Sequence, residues 1–214
     1  MKSILIIGLG RFGRHLCRKF MSLDNEVMIV DRDEAAVSAL ADEVTSAQIA
    51  DCTDENALRA LGVKNFDLCF VCIGSDFASS LLITSMLKEM GAARVVAKAA
   101  RDVHAKLLLR NGADHVVYAE REMAERLAIK YGSKNIFDYI ELTPEYAIYE
   151  IAVPASWIGK SILEKGIRTR YGISILATKK GSKIFPQPHP DHIFSADETL
   201  MVMGNRQDIK AITR

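Results

Sequence analysis

The stretch Ile4-Leu5-Ile6-Ile7-Gly8-Leu9-Gly10-Arg11-Phe12-Gly13 decides the fold of the first part of the chain. Four consecutive branched apolar residues are typical of a strand that is buried on both faces of a parallel sheet. The three glycines that follow complete the pattern Gly-x-Gly-x-x-Gly. In such a loop the first glycine permits a tight turn, the second lets the backbone approach a phosphate, and the third lets the next helix pack close to the strand. The stretch therefore predicts a strand, a phosphate-binding loop and a helix whose N-terminus attracts anions.

An acidic residue lies at the distance from the loop that a ribose-binding carboxylate requires. Asp31 follows the strand-like run 26–30 and comes 18 residues after Gly13, close to the spacing of roughly 20 that is expected for that role. A carboxylate accepts hydrogen bonds from ribose hydroxyls and repels a 2′-phosphate. We therefore expect an adenosine nucleotide with a free 2′-hydroxyl and not NADP, despite the neighbouring Arg32. The alternative is that Asp31 only caps the helix that starts near Asp33.

The composition is that of a folded and nearly neutral protein. Of the 214 residues 49% are hydrophobic, and 28 basic residues balance 27 acidic ones to give a formal net charge of +1. This balance gives no excess of basic residues of the kind that would indicate binding to a nucleic acid polymer or an anionic membrane. The sequence has no apolar run of about 18 residues and no cleavage-like site after its N-terminal apolar run. We expect a cytoplasmic protein without a transmembrane helix or a signal peptide.

Two of the four cysteines, Cys69 and Cys72, form a C-x-x-C pattern inside the apolar run 68–73. Residues three apart on a strand point to opposite faces, so these thiols cannot easily pair or converge on one metal. We interpret them as core residues, and the cysteine count does not indicate a disulfide framework.

Strand-like and helix-like runs alternate over about the first 130 residues. The strand-like runs are 4–7, 26–30, 44–50, 67–73, 94–98 and 114–118. This alternation predicts an α/β fold with a Rossmann-like, doubly wound parallel sheet in the order 3-2-1-4-5-6. Ligand groups then belong at the carboxyl ends of the strands. The candidates that fall there are Gly8 to Gly13, Asp31, Asp51, Gly74-Ser75, Lys98 and Glu120.

The alternation of strand-like and helix-like runs ends after residue 132. We assign residues 1–132 to a nucleotide-binding domain, 133–144 to a linker or crossover helix, and 145–214 to a smaller α+β domain. Within these segments, 136–142 has the pattern of a connecting segment and 179–182 that of a turn. Residues 185–190 form a proline-rich loop that cannot join a central strand.

The catalytic residues of a nicotinamide-dependent dehydrogenase are not evident. Such an enzyme needs a positioned acid or base, and His104 is the only histidine that falls where a ligand could reach. A structural or ligand-contacting role suits His104 better than catalysis. The sequence also lacks a Ser/His/Asp spacing, a metal-ligand cluster and a Walker lysine loop.

Three charged residues lie where a phosphate would bind. Arg11 faces the predicted phosphate site, unless it is a solvated arginine at the start of the helix. Lys98 ends a buried strand, where an unpaired cation would be costly, so we expect it to pair with a phosphate. Glu120 is either a helix-cap carboxylate or a metal ligand, and its spacing does not decide between the two.

Several short motifs together resemble one known family. They are residues 8–13, Val30-Asp31, 50–53, Ile73-Gly74, 96–99 and 111–114, followed by 159–162, 170–172 and 198–204. These motifs are similar to those of the cytoplasmic regulatory subunits of Ktr and Trk potassium-uptake systems, and most like the KtrA-type branch. The family's domain is called RCK, for regulator of conductance of potassium. The resemblance covers essentially the whole chain.

The resemblance implies a non-enzymatic regulator in which ATP and ADP, or alternatively NAD and NADH, control potassium flux. It implies a homodimer that assembles into an octameric ring on an integral-membrane potassium-translocating subunit, at the inner face of the membrane. Mg or Ca would accompany ATP near Glu120, and Arg11 would reach the terminal phosphate. Cyclic di-AMP would bind the second domain near Ile162, Arg168 and the loop 188–190. The residues expected at the nucleotide are Gly8, Gly10, Arg11, Phe12, Gly13, Asp31, Arg32, Asp51, Cys52, Ile73, Gly74, Ser75, Lys98, Ala99, His104 and Glu120.

Two other functions stay open at this point. One is an NAD-dependent oxidoreductase of unknown substrate, which a change in nicotinamide absorbance would favour. The other is a nucleotide-binding interaction module for a different membrane protein.

Overall fold

The computed structural model describes residues 1–213 and divides the chain into two compact units. The first unit is Met1–Glu120, and the second begins at Arg121. Arg214, the last residue of the predicted second domain, lies outside the described residues. Among the residues that are described, no helix has the length and apolar character needed to cross a membrane.

A six-stranded parallel sheet forms the centre of the first unit. Its spatial order is 3-2-1-4-5-6, so the predicted fold class and strand order are confirmed. Branched apolar residues fill the central strands, and Leu5 and Ile6 are completely buried, as expected for a strand covered on both faces. The strands are β1 (Ser3–Ile7), β2 (Glu26–Asp31), β3 (Ser46–Ile49), β4 (Leu68–Val71), β5 (Val95–Lys98) and β6 (His115–Val117).

Helices cover both faces of this sheet. They are α1 (Arg11–Met21), α2 (Glu34–Ser38), α3 (Glu55–Ala60), α4 (Phe77–Glu89) and α5 (Asp102–Arg110). On one face α1 and α2 contribute buried residues such as Cys17 and Val37. On the other face α3, α4 and α5 contribute Leu58, Ile83 and Leu108. Burial of each such aliphatic side chain stabilises the fold by about 1.5–3 kcal/mol.

The two thiols of the C-x-x-C pattern lie on opposite sides of the sheet. Cys69 packs in the core with α3 to α5, and Cys72 packs in the core with α1 and α2. Burial raises the pKa of each thiol to about 12. All four cysteines of the chain are free and buried, and the interpretation as core residues is confirmed.

The second unit contains a five-stranded antiparallel sheet in the order β10-β9-β11-β8-β7. Its core includes the fully buried Trp157, Phe194, Leu200 and Val202. The predicted α+β character of this part is confirmed. Its strands are β7 (Ile136–Glu141), β8 (Tyr146–Ala152), β9 (Ser174–Lys180), β10 (Lys183–Pro186) and β11 (Thr199–Asn205). Its helices are α6 (Ala119–Gly132), which starts in the last two residues of the first unit, α7 (Ile162–Lys165), α8 (Ile167–Tyr171) and α9 (Arg206–Ile212).

The prediction of a connecting segment or crossover helix within 133–144 is wrong. Of these residues, all of which the structure describes, Ile136–Glu141 form strand β7, and helix α6 ends before them at Gly132. The register between β7 and β8 shifts between Ile136 and Asp138. That shift interrupts the alternation of inward and outward residues by which a strand is recognised in a sequence.

The hairpin between β9 and β10 is also tighter than predicted. Lys179 and Lys180 continue β9 and do not form part of a turn, and Phe185 and Pro186 pair with β9 as the end of β10. Proline is tolerated there because β10 is an edge strand of the sheet.

Candidate functional site

A cleft opens at the carboxyl edge of the first sheet where the strand order reverses between β1 and β4. Connections leave these two strands in opposite directions, and the resulting crevice is where open α/β sheets bind ligands. The cleft has a volume of about 200 Å³. We call it the switch-point cleft. It is lined by Ile7, Gly8, Gly10, Asp31, Arg32, Ala50, Asp51, Cys52, Thr53, Cys72, Ile73, Gly74, Ser75, Asp76, Ser79 and Ile83.

The three glycines of the loop serve different purposes. Gly8 has φ of +96°, a conformation that favours glycine. At Gly13 a Cβ atom would overlap the carbonyl oxygen of Gly8, so only glycine lets α1 pack this close to β1. At Gly10, apart from this glycine and its two chain neighbours, no heavy atom of the described chain lies within 4 Å of the position that a Cβ would take. The fold does not require glycine at position 10, and the space beside its backbone is left for a ligand.

The N-terminus of α1 points its free amide groups at the cleft edge. Gly10 is the N-cap residue, and because it is a glycine it provides no side-chain cap for the first-turn amides. The first turn also carries no acidic residue. The first amides of a helix lack intrahelical partners and carry the positive end of its dipole. This end of α1 therefore suits an anion such as a phosphate.

Asp31 ties the glycine loop to the loop that follows β2. One carboxylate oxygen accepts the amide of Leu9 at 2.6 Å, and the other accepts the amide of Asp33 at 3.0 Å. The N-cap of α2 is Asp33, which accepts the amides of Ala35 and Ala36, so Asp31 does not cap that helix. Each oxygen of Asp31 keeps a second lone pair that ribose hydroxyls can use.

Two further carboxylates stand at the rim of the cleft. The hydroxyl and amide of Thr53 hold the pKa of Asp51 below its usual range. The hydroxyl and amide of Ser79 do the same for the pKa of Asp76, which caps α4. Arg32 lowers the pKa of both carboxyls further. Both groups are therefore ionised at neutral pH, and the rim is predominantly acidic.

A second group of predicted residues lies beside the cleft. We call Arg11, Phe12, Lys98 and Glu120 the phosphate-side cluster. The Lys98 ammonium lies 2.6 Å from the Glu120 carboxylate and 5.6 Å from the centre of the Phe12 ring. Hydrogen bonding to Lys98 holds the pKa of Glu120 below its usual range, and the charge of Arg11 contributes. A Cβ atom at Gly74 would lie 3.5 Å from the Lys98 Nζ, so this cation borders a lining residue of the cleft.

Of the sixteen predicted nucleotide residues, nine line the switch-point cleft. These are Gly8, Gly10, Asp31, Arg32, Asp51, Cys52, Ile73, Gly74 and Ser75. Gly13 supports the loop from behind. Ala99 is buried in the core on the α4–α5 side, and His104 stacks on Phe77 with ring centroids 3.8 Å apart.

Seven lining residues were not predicted. They are Ile7, Ala50, Thr53, Cys72, Asp76, Ser79 and Ile83. A sequence signal existed for Asp76 and Ser79, since an aspartate directly after β4 with a serine three residues later is a helix N-cap pattern. The apolar lining residues carried no signal of their own because they look like ordinary core.

A metal site built from protein side chains alone does not occur in the described part of the chain, where no three or more His, Cys, Asp or Glu residues cluster suitably. Glu120 is a single carboxylate whose charged neighbours are the cations Lys98 and Arg11. Magnesium is commonly held by one or two carboxylates together with substrate phosphates. Glu120 therefore fits a divalent cation only as one ligand among phosphate oxygens.

The second unit contains a separate pocket of about 540 Å³, which we call the α7–α8 pocket. It is lined by Ile162, Leu163, Gly166, Ile167, Arg168, Thr169, Ile175, Pro188 and Pro190. The amide of Leu163 donates to the Pro190 carbonyl at 2.9 Å, and the amide of Ile162 donates to the His192 carbonyl at 3.1 Å. These bonds fix the proline-rich loop against α7. Ile162, Arg168 and the prolines that the sequence analysis grouped together line one pocket.

Two family models match the chain. The TrkA-N domain matches residues 4–119 and the TrkA-C domain matches residues 146–214. The Ktr system potassium uptake protein C of Bacillus subtilis is 39% identical over 97% of this chain and 94% of its own length. The Ktr system potassium uptake protein A of the same organism is 37% identical over 98% of this chain and 94% of its own length.

Among solved structures, the GsuK channel bound to NAD matches with a TM-score of 0.72 at 22% identity. The match covers 99% of this chain and 38% of the GsuK chain, so this chain spans well under half of that one. At this identity the likeness concerns the fold, and it agrees with the sheet order found here. The two domain matches, and the 39% identity over nearly the full length of the chain, confirm the predicted resemblance. The chain belongs to the Ktr family of potassium-uptake proteins, with a TrkA-N domain followed by a TrkA-C domain.

Proposed function

We propose that this protein is a nucleotide-sensing regulatory subunit of a potassium uptake system, and that an adenine nucleotide in the switch-point cleft controls the flux. The observation that carries the proposal is the convergence of the glycine loop, the uncapped start of α1 and Asp31 on one cleft. These groups match the phosphate and the ribose of one nucleotide. The TrkA-N match covers residues 4–119, nearly all of this unit.

The rim carboxylates support a nucleotide with a free 2′-hydroxyl. Asp31, Asp51 and Asp76 all line the cleft, against the single cation Arg32 among the described lining residues. A 2′-phosphate near Asp31 would add charge of the same sign, which costs binding energy in a partly desolvated site. ATP, ADP, NAD and NADH lack that group. The GsuK structure with NAD bound supports a dinucleotide as the alternative to ATP and ADP.

The chemistry of the cleft favours binding over turnover. Its carboxylates already accept hydrogen bonds from Leu9, Thr53 and Ser79. Burial raises the pKa of its two thiols, Cys52 and Cys72, to about 12, so neither is an activated nucleophile. A regulator needs only a difference in affinity between two conformations of the assembly, and a coupling of about 1–3 kcal/mol shifts their populations appreciably.

We place the ligand's phosphates at the phosphate-side cluster. Arg11 is exposed at the first position of α1 and supplies a cation for a terminal phosphate. Glu120 would then be one ligand of a magnesium or calcium ion that accompanies ATP. This arrangement gives ATP contacts that ADP lacks, which is the difference a sensor requires.

Helix α6 supplies a surface for assembly with a second copy of the chain. Every residue of α6 is described and none is buried. Met123, Leu127 and Tyr131 recur every fourth position and are 51%, 43% and 79% exposed. We call these three residues the α6 stripe. An apolar stripe on one helix can pair with itself about a two-fold axis, and such homodimers would build an octameric ring on the inner face of a membrane subunit.

A second ligand, cyclic di-AMP, is proposed for the α7–α8 pocket. Its wall combines the exposed guanidinium of Arg168 with the apolar Ile162, Ile175 and Pro188. An arginine pairs well with phosphate, and flat apolar side chains suit a purine base. Titration of the purified protein with cyclic di-AMP tests this assignment directly.

Calorimetric titration with ATP, ADP and NADH, followed by potassium flux in liposomes that contain the membrane subunit, tests the main proposal. We expect at least one adenine nucleotide to bind and to change the flux. Failure of all of them to bind defeats the proposal. Steady oxidation of NADH with a small substrate would instead establish the oxidoreductase alternative.

A further inference from the structure

Lys98 is a cation that cannot easily be left without an anionic partner. Its side chain is only 14% exposed, and it lies at the carboxyl end of β5 between the Phe12 ring and Gly74. A buried ammonium group loses much of its hydration, and this loss must be offset by an opposite charge or hydrogen-bond acceptors. In this structure the Lys98 ammonium group donates a hydrogen bond to the Glu120 carboxylate at 2.6 Å.

Glu120 differs sharply from Lys98 in its surroundings. Its side chain is 66% exposed, and it belongs to the first turn of α6. A carboxylate with this exposure is well hydrated without its partner, so it can leave the pair at little cost. The pair is therefore asymmetric: the lysine needs an anion, and the glutamate does not need the lysine.

A phosphate in the cleft would compete for the same ammonium group. The Lys98 Nζ borders Gly74, a lining residue, and lies over Phe12 of the glycine loop. A nucleotide phosphate at the start of α1 thus comes within reach of the Lys98 ammonium group, which is already paired with Glu120. A phosphate carries more charge than a carboxylate and offers three acceptor oxygens. The exchange keeps Lys98 paired and releases Glu120 to water.

We propose that Lys98 exchanges partners on ligand binding: Glu120 holds its ammonium group in the empty cleft, and a nucleotide phosphate displaces Glu120. Glu120 is then a competitor of the phosphate when no divalent cation is present. This inference rests on the proposed nucleotide function of the same cleft. It identifies Lys98 as a residue that distinguishes phosphorylated from unphosphorylated adenosine compounds.

Calorimetric binding of ADP and of adenosine to the full chain, in buffer with a chelator, tests the exchange. The chelator excludes any contribution from a divalent cation at Glu120. In the variant Glu120→Gln we expect ADP to bind about two- to fivefold more tightly, the range that corresponds to a partly exposed ion pair. In Lys98→Met we expect ADP to bind more weakly, and in both variants we expect adenosine to bind as in the parent.

A double variant and a matched control separate this mechanism from general electrostatics. In the Lys98→Met background, Glu120→Gln should no longer tighten ADP binding. Glu125 lies on the same helix, and its carboxylate pairs with Arg121. Glu125→Gln removes this carboxylate and should leave ADP binding unchanged. Unchanged or weaker ADP binding in Glu120→Gln, or a tightening that persists without Lys98, overturns the exchange. Loss of all nucleotide binding in the parent would instead defeat the proposed function, and the exchange with it.

Discussion

At the scale of single residues, the glycine loop separates the requirements of the fold from those of a ligand. Gly13 has no room for a side chain because Gly8 lies against it, whereas Gly10 faces open space among the described residues. The sequence pattern predicted three glycines with three roles, but it could not tell which of them the fold itself enforces. Only the positions of the surrounding atoms distinguish the two cases.

This difference makes Gly10→Ala and Gly13→Ala a matched pair. Gly13→Ala forces α1 away from β1, and we expect it to lower the free energy of unfolding by about 1–3 kcal/mol. Gly10→Ala should leave the unfolding temperature nearly unchanged while it weakens nucleotide binding at least tenfold, because its methyl group enters the space that a phosphate needs. Thermal unfolding and calorimetric titration of both variants measure these outcomes. Equal destabilisation by the two substitutions would contradict the assignment.

Arg11 provides the second prediction at this scale. We expect Arg11→Ala to retain ADP binding but to remove most of the difference in affinity between ATP and ADP. The physical reason is that Arg11 adds a cation for a terminal phosphate beyond the amides of α1. Titrations with ATP and ADP, in parallel with Arg14→Ala as a control, measure the effect. Arg14 donates to the Leu9 carbonyl inside the loop and should affect both ligands alike. An equal loss of ATP and ADP binding in Arg11→Ala would contradict the assignment of Arg11 to the terminal phosphate.

At the scale of elements, one carboxylate joins β5, β6 and α4. Asp114 lies directly before β6 and accepts the amide of Val95 at 2.7 Å and the ammonium group of Lys88 at 3.0 Å. Burial alone would raise the pKa of Asp114, but these two donors outweigh burial and lower it. The carboxylate therefore holds the edge of the first sheet together in its ionised form.

A pH dependence follows from this lowered pKa. A carboxyl whose folded pKa lies below its ordinary value of 3.8 stabilises the fold above that value. The contribution is lost as the pH falls through the folded pKa. We expect Asp114→Asn to cost about 1 kcal/mol of unfolding free energy between pH 5 and 8, the usual contribution of such hydrogen bonds. Urea unfolding from pH 3 to 7 should show the parent and the variant converging below about pH 4; a gap that stays constant to pH 3 would contradict this role.

The elements also show where prediction from sequence ends. The parallel sheet could be predicted because each strand is an apolar run punctuated by glycine or aspartate, and the connection rules leave few orders. Strand β7 could not, because its register shift breaks the alternation and its position at the sheet edge leaves Phe137 and Ile140 exposed. The position of the cleft could be predicted from the carboxyl ends of the strands alone. Its apolar lining, Ile7 and Ile83 among them, required the packed structure.

At the scale of the whole molecule, the α6 stripe is the surface that we propose for assembly with a second copy of the chain. We expect the parent to exceed the 23.7 kDa mass of one chain in light scattering at micromolar concentration. Leu127→Glu places a charge in the stripe and should shift the protein towards monomers, because burial of an unpaired carboxylate at an interface is costly. Glu122→Gln, on the same helix, is the matched control and should leave the mass unchanged. A monomeric parent, or an unchanged mass in Leu127→Glu, would contradict this role of α6.

The burial of every native cysteine has a practical consequence for site-specific labelling of this protein. Maleimide and iodoacetamide reagents attack thiolates, and the covered, protonated sulfurs of Cys17, Cys52, Cys69 and Cys72 present almost none at pH 7. A single cysteine engineered on the exterior can therefore carry a fluorophore or spin label in the otherwise unaltered chain. The rate at which the native thiols react then reports the rate of global unfolding.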